Sequence, residues 1–182
     1  MLLYHGTSLE KARKIIEDGV LKADIERLYK SDVIKDANTT NGLVYLTSQL
    51  YTAYYYGNIA NRSDDRNLKY VVIFRTEVDE TKLLPDYDEI KVITDKNMHE
   101  EHISADISLA LCGAVTIAED LDIRNAEYML LPCTMNFIED EEDVHICREL
   151  SKTQLHNNEI PISETYEKVN KRFSWKKVSE FN

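Results

Sequence analysis

The sequence predicts an α+β fold, in which short strands and helices combine in one chain of 182 residues. Residues 2–7 form an apolar segment typical of a buried strand, and residues 9–18 carry apolar side chains at helical spacing. Residues 42–47 favour another strand, which opens with an Asn-Gly turn and leads into a tyrosine-rich helix. Residues 69–78 are the clearest strand, and the apolar run at 70–74 predicts a central position with both faces buried.

Capping and turn residues predict where these elements begin and end. Ser8 can cap the first helix, which we expect to stop at Gly19. Thr47 or Ser48 can cap a second helix. A loop as long as the one at 20–41 is typically either disordered or a functional lid. The expected elements are a loop at 20–41 with room for a short helix at 24–29, a helix from 49 to about 57, a loop at 58–68, a turn at 85–89, a strand at 90–93, a helix at 95–112, a strand at 113–117, a polar turn at 119–124 and a strand at 127–132.

The composition argues against several classes of protein. A net charge of −11 gives no footprint for phosphate-backbone binding, so a nucleic-acid partner is not indicated, although a nucleic acid could still be the acceptor in a reaction. We find no long apolar run and no secretory signal, so we expect a cytoplasmic protein without a membrane partner. Three cysteines without a C-x-x-C pair favour reduced thiols. His99 and His102 lack the i, i+4 spacing of a zinc-binding helix, so we expect no metal.

Three segments place chemically useful side chains beside predicted strand ends. His5 precedes Gly6, which lacks a side chain and lets the backbone approach a ligand. Tyr45 begins a group of five tyrosines, and such rings can stack on a flat ligand. Glu127 is a lone carboxylate at the start of an apolar strand. Each also has a structural explanation: a hydrogen-bonded histidine, tyrosines packed in a core and a solvent-facing glutamate.

In this order, the H-G-T segment at 5–7, the G-L-V-Y-L-T segment at 42–47 and Glu127 resemble the ADP-ribosyltransferase superfamily. The resemblance is to its His-Tyr-Glu branch, the diphtheria-toxin-like and poly-ADP-ribose-polymerase-like enzymes, and covers residues 2–132. It implies a split antiparallel β-sandwich with surrounding helices, which holds NAD⁺ in the cleft between the sheets. We expect this catalytic domain to span residues 1–138.

An acidic segment and a helical C-terminal appendage are expected at residues 139–182, beyond the region of resemblance. Three aromatic residues, Phe173, Trp175 and Phe181, are expected to pack on the domain. Alternatively, the appendage binds a partner or the acceptor.

The resemblance also implies how the matching residues bind NAD⁺. His5 would hydrogen-bond the adenosine ribose, the backbone of Gly6 would hold the nicotinamide carboxamide, and Thr7 belongs to the same binding segment. Glu127 would bind the 2′-hydroxyl of the nicotinamide ribose. His5, Tyr45 and Glu127 are therefore expected to line one cleft.

Two aromatic walls are implied for the nicotinamide ring. Tyr45 would stack on one face. Tyr56 lies eleven residues later in an A-x-x-Y-G pattern and would form the other wall, with Tyr54 or Tyr55 as alternatives. Many polymerases carry serine where this chain has Ala53, so a side-chain bond to the carboxamide is absent from the expected site.

The chemistry of NAD⁺ cleavage asks for these residue types. Breaking the N-glycosidic bond builds positive charge on the ribose, which a fixed carboxylate stabilises. Nicotinamide leaves as a neutral molecule, so neither a metal nor a strong acid is needed. A histidine that donates one ring N–H can orient a hydroxyl.

The acceptor is expected to be something other than arginine. Arginine-modifying members carry an acid two positions before the catalytic glutamate, where this chain has Asn125, and an arginine where it has His5. Two other functions stay open. An RNA 2′-phosphotransferase would need an arginine-rich phosphate site, for which Arg13, Arg27 and Arg62 are available. A non-catalytic nucleotide-binding module on the same fold is the second.

Overall fold

The computed structural model describes residues 1–24, 39–64, 69–94, 102–134, 142–154 and 161–181. Within them, a seven-stranded antiparallel sheet and six helices confirm the α+β class. The strands are β1 (Leu2–Ser8), β2 (Val20–Leu21), β3 (Val44–Thr47), β4 (Tyr70–Glu77), β5 (Leu84–Pro85), β6 (Ala114–Ile117), β7 (Leu121–Asp122), β8 (Glu127–Pro132) and β9 (Lys176–Lys177). The helices are α1 (Leu9–Asp18), α2 (Leu50–Asp64), α3 (Tyr87–Thr94), α4 (Ala105–Cys112), α5 (Glu142–Gln154) and α6 (Ile162–Arg172). None of these helices is long and apolar enough to cross a bilayer.

The main sheet has the order β5-β6-β3-β1-β4-β8-β9, and β2 pairs separately with β7. Residues 71–74 of β4 are buried between β1 and β8, which confirms the central strand expected from their apolar run. β1 pairs with β4 along its whole length, from Leu2 to Ser8. By contrast, β1 and β3 pair only at Tyr4 and Thr47 within the described residues. The sheet therefore opens between β1 and β3.

Side chains that alternate along the strands fill a core on each face of the sheet. On one face, Val72 and Phe74 pack with Leu3. On the other face, Ile73 and Met129 pack with residues of α2, α5 and α6. The two cores hold the strands in register, because a slip by one residue would exchange the faces. All three cysteines are buried and free, as expected for reduced thiols.

α1 begins and ends where its sequence predicts. The Ser8 hydroxyl accepts a hydrogen bond from the Lys11 backbone N–H at 3.3 Å. Gly19 ends the helix in the left-handed region, with φ of 73°, and its N–H donates to the Ile15 and Ile16 carbonyls. Ser8 thus fixes the turn from β1 into α1, and Gly19 the turn from α1 into β2.

One predicted loop and one predicted strand contain helical residues instead. Residues 58–64 belong to α2. Their polar side chains suggested a loop, but Asn58 and Asn61 are buried where the helix packs on the core. Residues 90–93 belong to α3, whose start is capped by Asp86: its carboxylate accepts the Glu89 backbone N–H at 2.9 Å. The β-branched residues that suggested a strand lie in a capped helix instead.

The helix predicted at 95–112 is shorter than expected. Residues 102–104 are not helical, and α4 begins after Ser104, whose side chain accepts the Ile107 backbone N–H. Residues 95–101 lie outside the described residues, as do His99 and nearly all of the short helix expected at 24–29.

The C-terminal segment is part of the main sheet. β9 pairs with β8, and the ring of Trp175 lies 5.9 Å from that of Tyr4. The Phe181 ring packs edge-on against Tyr128, with 4.9 Å between centroids, and Phe173 packs on the second core. The expected packing of these three aromatic residues is confirmed.

Candidate functional site

A cavity of about 570 Å³ opens where β1 and β3 separate. Residues of β1, α1, β3, α2 and α3 line it. Its volume lies within the range of about 300–1,000 Å³ that is usual for small-molecule sites. His5, Gly6, Thr7, Tyr45 and Tyr56 are all among the lining residues. Segments that are far apart in the sequence thus meet at one cavity.

His5 is fixed to the opposite strand by its ring. Its Nδ1 lies 3.0 Å from the backbone oxygen of Tyr45. Because a carbonyl oxygen only accepts, Nδ1 carries the proton, and Nε2 is left as an acceptor in the neutral ring. Burial lowers the pKa of His5, so the ring is neutral at pH 7. With Nδ1 donating to Tyr45, Nε2 of His5 is left to accept a hydrogen bond from a ligand hydroxyl.

Gly6 is required by helix packing as well as by its place in the cavity wall. A Cβ at this position would lie 1.7 Å from the Ala53 carbonyl oxygen and 3.1 Å from the Gly57 nitrogen. β1 and the backbone of α2 are thus in direct contact. Thr7, the next residue, is 2% exposed and completes this part of the wall.

Both predicted aromatic walls have their hydroxyls held by carboxylates of α3. The Tyr45 hydroxyl donates to Asp88 at 2.6 Å, and the Tyr56 hydroxyl donates to Glu89. Burial, reinforced by Asp88, raises the pKa of Tyr45 well above its usual range, so Tyr45 stays a neutral donor. Tyr54, an alternative second wall, instead lies in the core, where its hydroxyl donates to the Pro132 carbonyl at 2.6 Å.

Tyr55, the other alternative, packs edge-on against Tyr56, with ring centroids 5.3 Å apart. Of Tyr54, Tyr55 and Tyr56, Tyr56 is the one that lines the cavity.

The sequence did not reveal the acidic side of the cavity. Asp86, Asp88 and Glu89 all line it, at the start of α3. Burial raises the pKa of Asp86 to about 7 and also raises the pKa of Glu89. The Asp-x-x-Glu pattern at 86–89 is a helix-start signal that could have indicated α3. Nothing local indicates that these carboxylates reach tyrosines on β3 and α2.

Three lysines also line the cavity. Lys11 and Lys14 lie on α1, and Lys22 follows β2. Lys22 forms an ion pair with Asp18 at 2.6 Å. The lining therefore combines lysines and the carboxylates of Asp18 and Asp24 with a second group of carboxylates at the start of α3.

Glu127 is not among the residues that line the cavity, so the structure does not bring it together with His5 and Tyr45 there. Tyr4, Arg75 and Glu127 are opposed on β1, β4 and β8. Glu127 is thus two strand spacings, about 10 Å, from the cavity-lining Tyr4. Its carboxylate pairs with the Arg75 Nε at 2.7 Å, and the Arg75 guanidinium lies 4.2 Å from the centre of the Trp175 ring.

Glu127 nevertheless has the same sheet face as Tyr45. Opposed residues of antiparallel strands share a face, and Tyr4 opposes Thr47, two residues after Tyr45. Glu127 therefore lies on the Tyr45 face of the sheet, with Arg75 between it and Tyr4.

Across the described segments, no three His, Cys, Asp or Glu side chains are grouped so that they could hold a metal ion. No protein-family model and no curated protein matches this chain.

Proposed function

We propose that this protein is an NAD-dependent ADP-ribosyltransferase on a split antiparallel β-sandwich. The observation that carries the proposal is the cavity at the opening between β1 and β3. His5 and Tyr45 are hydrogen-bonded across that opening, and Tyr56 lines the same cavity. Two of the three distant segments that carry the sequence resemblance, at 5–7 and 42–47, thus line one cavity of suitable volume, which supports the proposal.

The charged side chains of the lining suit the charge distribution of NAD⁺. Its diphosphate is anionic, and Lys11 and Lys14 of α1 supply positive charge on one side. Its nicotinamide ring is flat and cationic, and suits the side that carries Tyr45, Tyr56 and the α3 carboxylates. The His5 Nε2 is available to accept a hydrogen bond from a ribose hydroxyl.

The proposed reaction breaks the bond between C1′ of the ribose and the pyridinium nitrogen. The bonding electron pair leaves with nicotinamide, which becomes neutral, and the ribose gains positive charge. An acceptor nucleophile forms the new bond to C1′ and loses its proton. Glu127 is the proposed catalytic carboxylate, on the sheet face that carries Tyr45, where the Arg75 guanidinium holds it. The acceptor is proposed to be a macromolecule or small molecule other than arginine.

An RNA 2′-phosphotransferase receives less support from the cavity. A phosphate-recognition site of that kind calls for arginines that bind phosphate through two nitrogens at once. Within the described residues the cavity lining contains lysines and no arginine.

The proposal is tested by incubating the protein with NAD⁺ labelled on the adenylate phosphate, with and without a cell lysate. We expect label to be transferred to an acceptor in the lysate by the wild type, and transfer to fall sharply in Glu127→Gln. Binding of NAD⁺ without transfer or nicotinamide release would indicate a non-catalytic module. NAD⁺-dependent removal of a 2′-phosphate from RNA would instead establish the phosphotransferase.

A further inference from the structure

Two successive carboxylates of α3 hold two tyrosines that belong to different elements. Asp88 accepts a hydrogen bond from Tyr45 of β3 at 2.6 Å, and Glu89 accepts one from Tyr56 of α2. Hydrogen bonds from a phenol to a carboxylate are charge-assisted and stronger than bonds between neutral groups. Both rings are therefore tied to the first turn of one helix.

The start of α3 is itself fixed to the sheet. The Asp86 backbone N–H donates to the Ser108 hydroxyl at 3.0 Å, and that hydroxyl donates to the Ala114 carbonyl of β6 at 2.7 Å. Because β6 pairs with β3, the carboxylate of Asp88 is held at a set distance from the strand that carries Tyr45.

Asp88 has a further partner above Tyr45. Its carboxylate accepts the Thr40 backbone N–H at 2.7 Å and the Thr40 hydroxyl at 3.2 Å. Thr40 and Tyr45 are also hydrogen-bonded to each other, since the Thr40 N–H lies 2.7 Å from the Tyr45 hydroxyl oxygen. The carboxylate thus joins the chain before β3 to the end of the Tyr45 side chain.

We propose that Asp88 and Glu89 are positioning residues, which orient Tyr45 and Tyr56 so that the cavity accepts a flat heteroaromatic ring. The inference rests on the proposed function, which supplies nicotinamide as that ring. Its physical basis is preorganisation: a ring already held in its binding orientation loses less conformational freedom when the ligand binds.

The test compares substitutions that keep or remove the hydrogen bond. Asp88→Leu removes the acceptor, Asp88→Asn keeps an oxygen acceptor, and Tyr45→Phe keeps the ring without its hydroxyl. By calorimetric titration we expect Asp88→Leu to raise the Kd for NAD⁺ about tenfold, and Asp88→Asn to restore most of the affinity. The double variant Asp88→Leu/Tyr45→Phe should bind no more weakly than Asp88→Leu, because both changes break the same link. Asp106→Leu, at an exposed carboxylate of α4, is the matched control.

A ligand-free measurement separates this inference from the proposed function. In protein labelled with ¹³C-tyrosine, we expect the Tyr45 ring resonances to shift in Asp88→Leu and to stay close to wild type in Asp88→Asn. Unchanged resonances in a folded Asp88→Leu protein, or effects of the two single changes that multiply in the double variant, would overturn the positioning role. A wild type that does not bind NAD⁺ but shows the expected shifts would overturn the proposed function alone.

Discussion

Replacing Asp86 with asparagine measures what the acidic side of the cavity costs the fold. Asp86 is 5% exposed, and its carboxylate caps α3 through the Glu89 backbone N–H. Burial, with the nearby Glu89 and Asp88 carboxylates adding to it, raises the pKa of Asp86 to about 7. Asparagine and aspartate cap helices about equally well, so Asp86→Asn removes the charge and keeps the cap.

The sign of the effect follows from the direction of the pKa shift. The pKa of an unfolded aspartate is about 3.9, so the folded state binds the proton more tightly. The stabilising contribution of this group is complete below the unfolded pKa and is lost as the pH rises through the folded pKa. A shift of about 3 units corresponds to about 4 kcal/mol as an upper value. Relative to wild type, the variant should therefore gain up to about 4 kcal/mol of unfolding free energy between pH 4 and pH 8.

Urea unfolding of both proteins at several pH values provides the assay. Because the two chains differ at one residue, the titration of groups that do not interact with Asp86 cancels in the difference between their unfolding free energies. If the difference in unfolding free energy stays constant from pH 4 to pH 8, the argument that burial raises the pKa of Asp86 is refuted.

Three further predictions concern the cavity wall, the ligand and the acceptor. In thermal unfolding, Gly6→Ala should lower the free energy of unfolding by at least about 3 kcal/mol, because its Cβ meets the α2 backbone. Gly42→Ala should lower it by about 1–2 kcal/mol, because Gly42 has a φ of 80° and open space around it, and equal losses would contradict the packing argument. Tyr45→Ala should weaken NAD⁺ binding in calorimetric titration by about 1–3 kcal/mol, and an unchanged affinity in the folded variant would place the stacking elsewhere. Agmatine should be a poor acceptor, and chromatography that detects abundant ADP-ribosyl-agmatine would disprove the non-arginine assignment.

Much of the fold could be predicted because its signals are local. The Ser8 and Gly19 caps, the apolar run of β4 and the turn before β3 each depend on neighbouring residues. The errors arose where tertiary burial overrode local preference. The polar side chains of Asn58 and Asn61 suggested a loop, but the core buries them in α2. Three of the residues 90–93 have β-branched side chains, yet an N-terminal cap and the packing of α3 on α4 make the segment helical.

The candidate site divides in the same way. His5, Gly6, Thr7, Tyr45 and Tyr56 could be selected from short motifs, and all five line one cavity. The carboxylates that bind the tyrosine hydroxyls could not be selected, because α3 is distant from β3 and α2 in the sequence and contacts them only in the folded protein. The separation of Glu127 from the cavity depends on sheet order and on the Arg75 ion pair, neither of which the sequence specifies locally.

The most direct test of the central claim measures the release of nicotinamide from NAD⁺ by chromatography, for the wild type and for Glu127→Gln. Glutamine preserves the shape of the side chain and removes its charge, so NAD⁺ affinity should change little. The proposed transferase should release nicotinamide, and the variant should do so about two to three orders of magnitude more slowly. A wild type that releases none would contradict the proposed activity. A variant that releases nicotinamide at the wild-type rate would contradict the role of Glu127 and direct attention to the carboxylates inside the cavity.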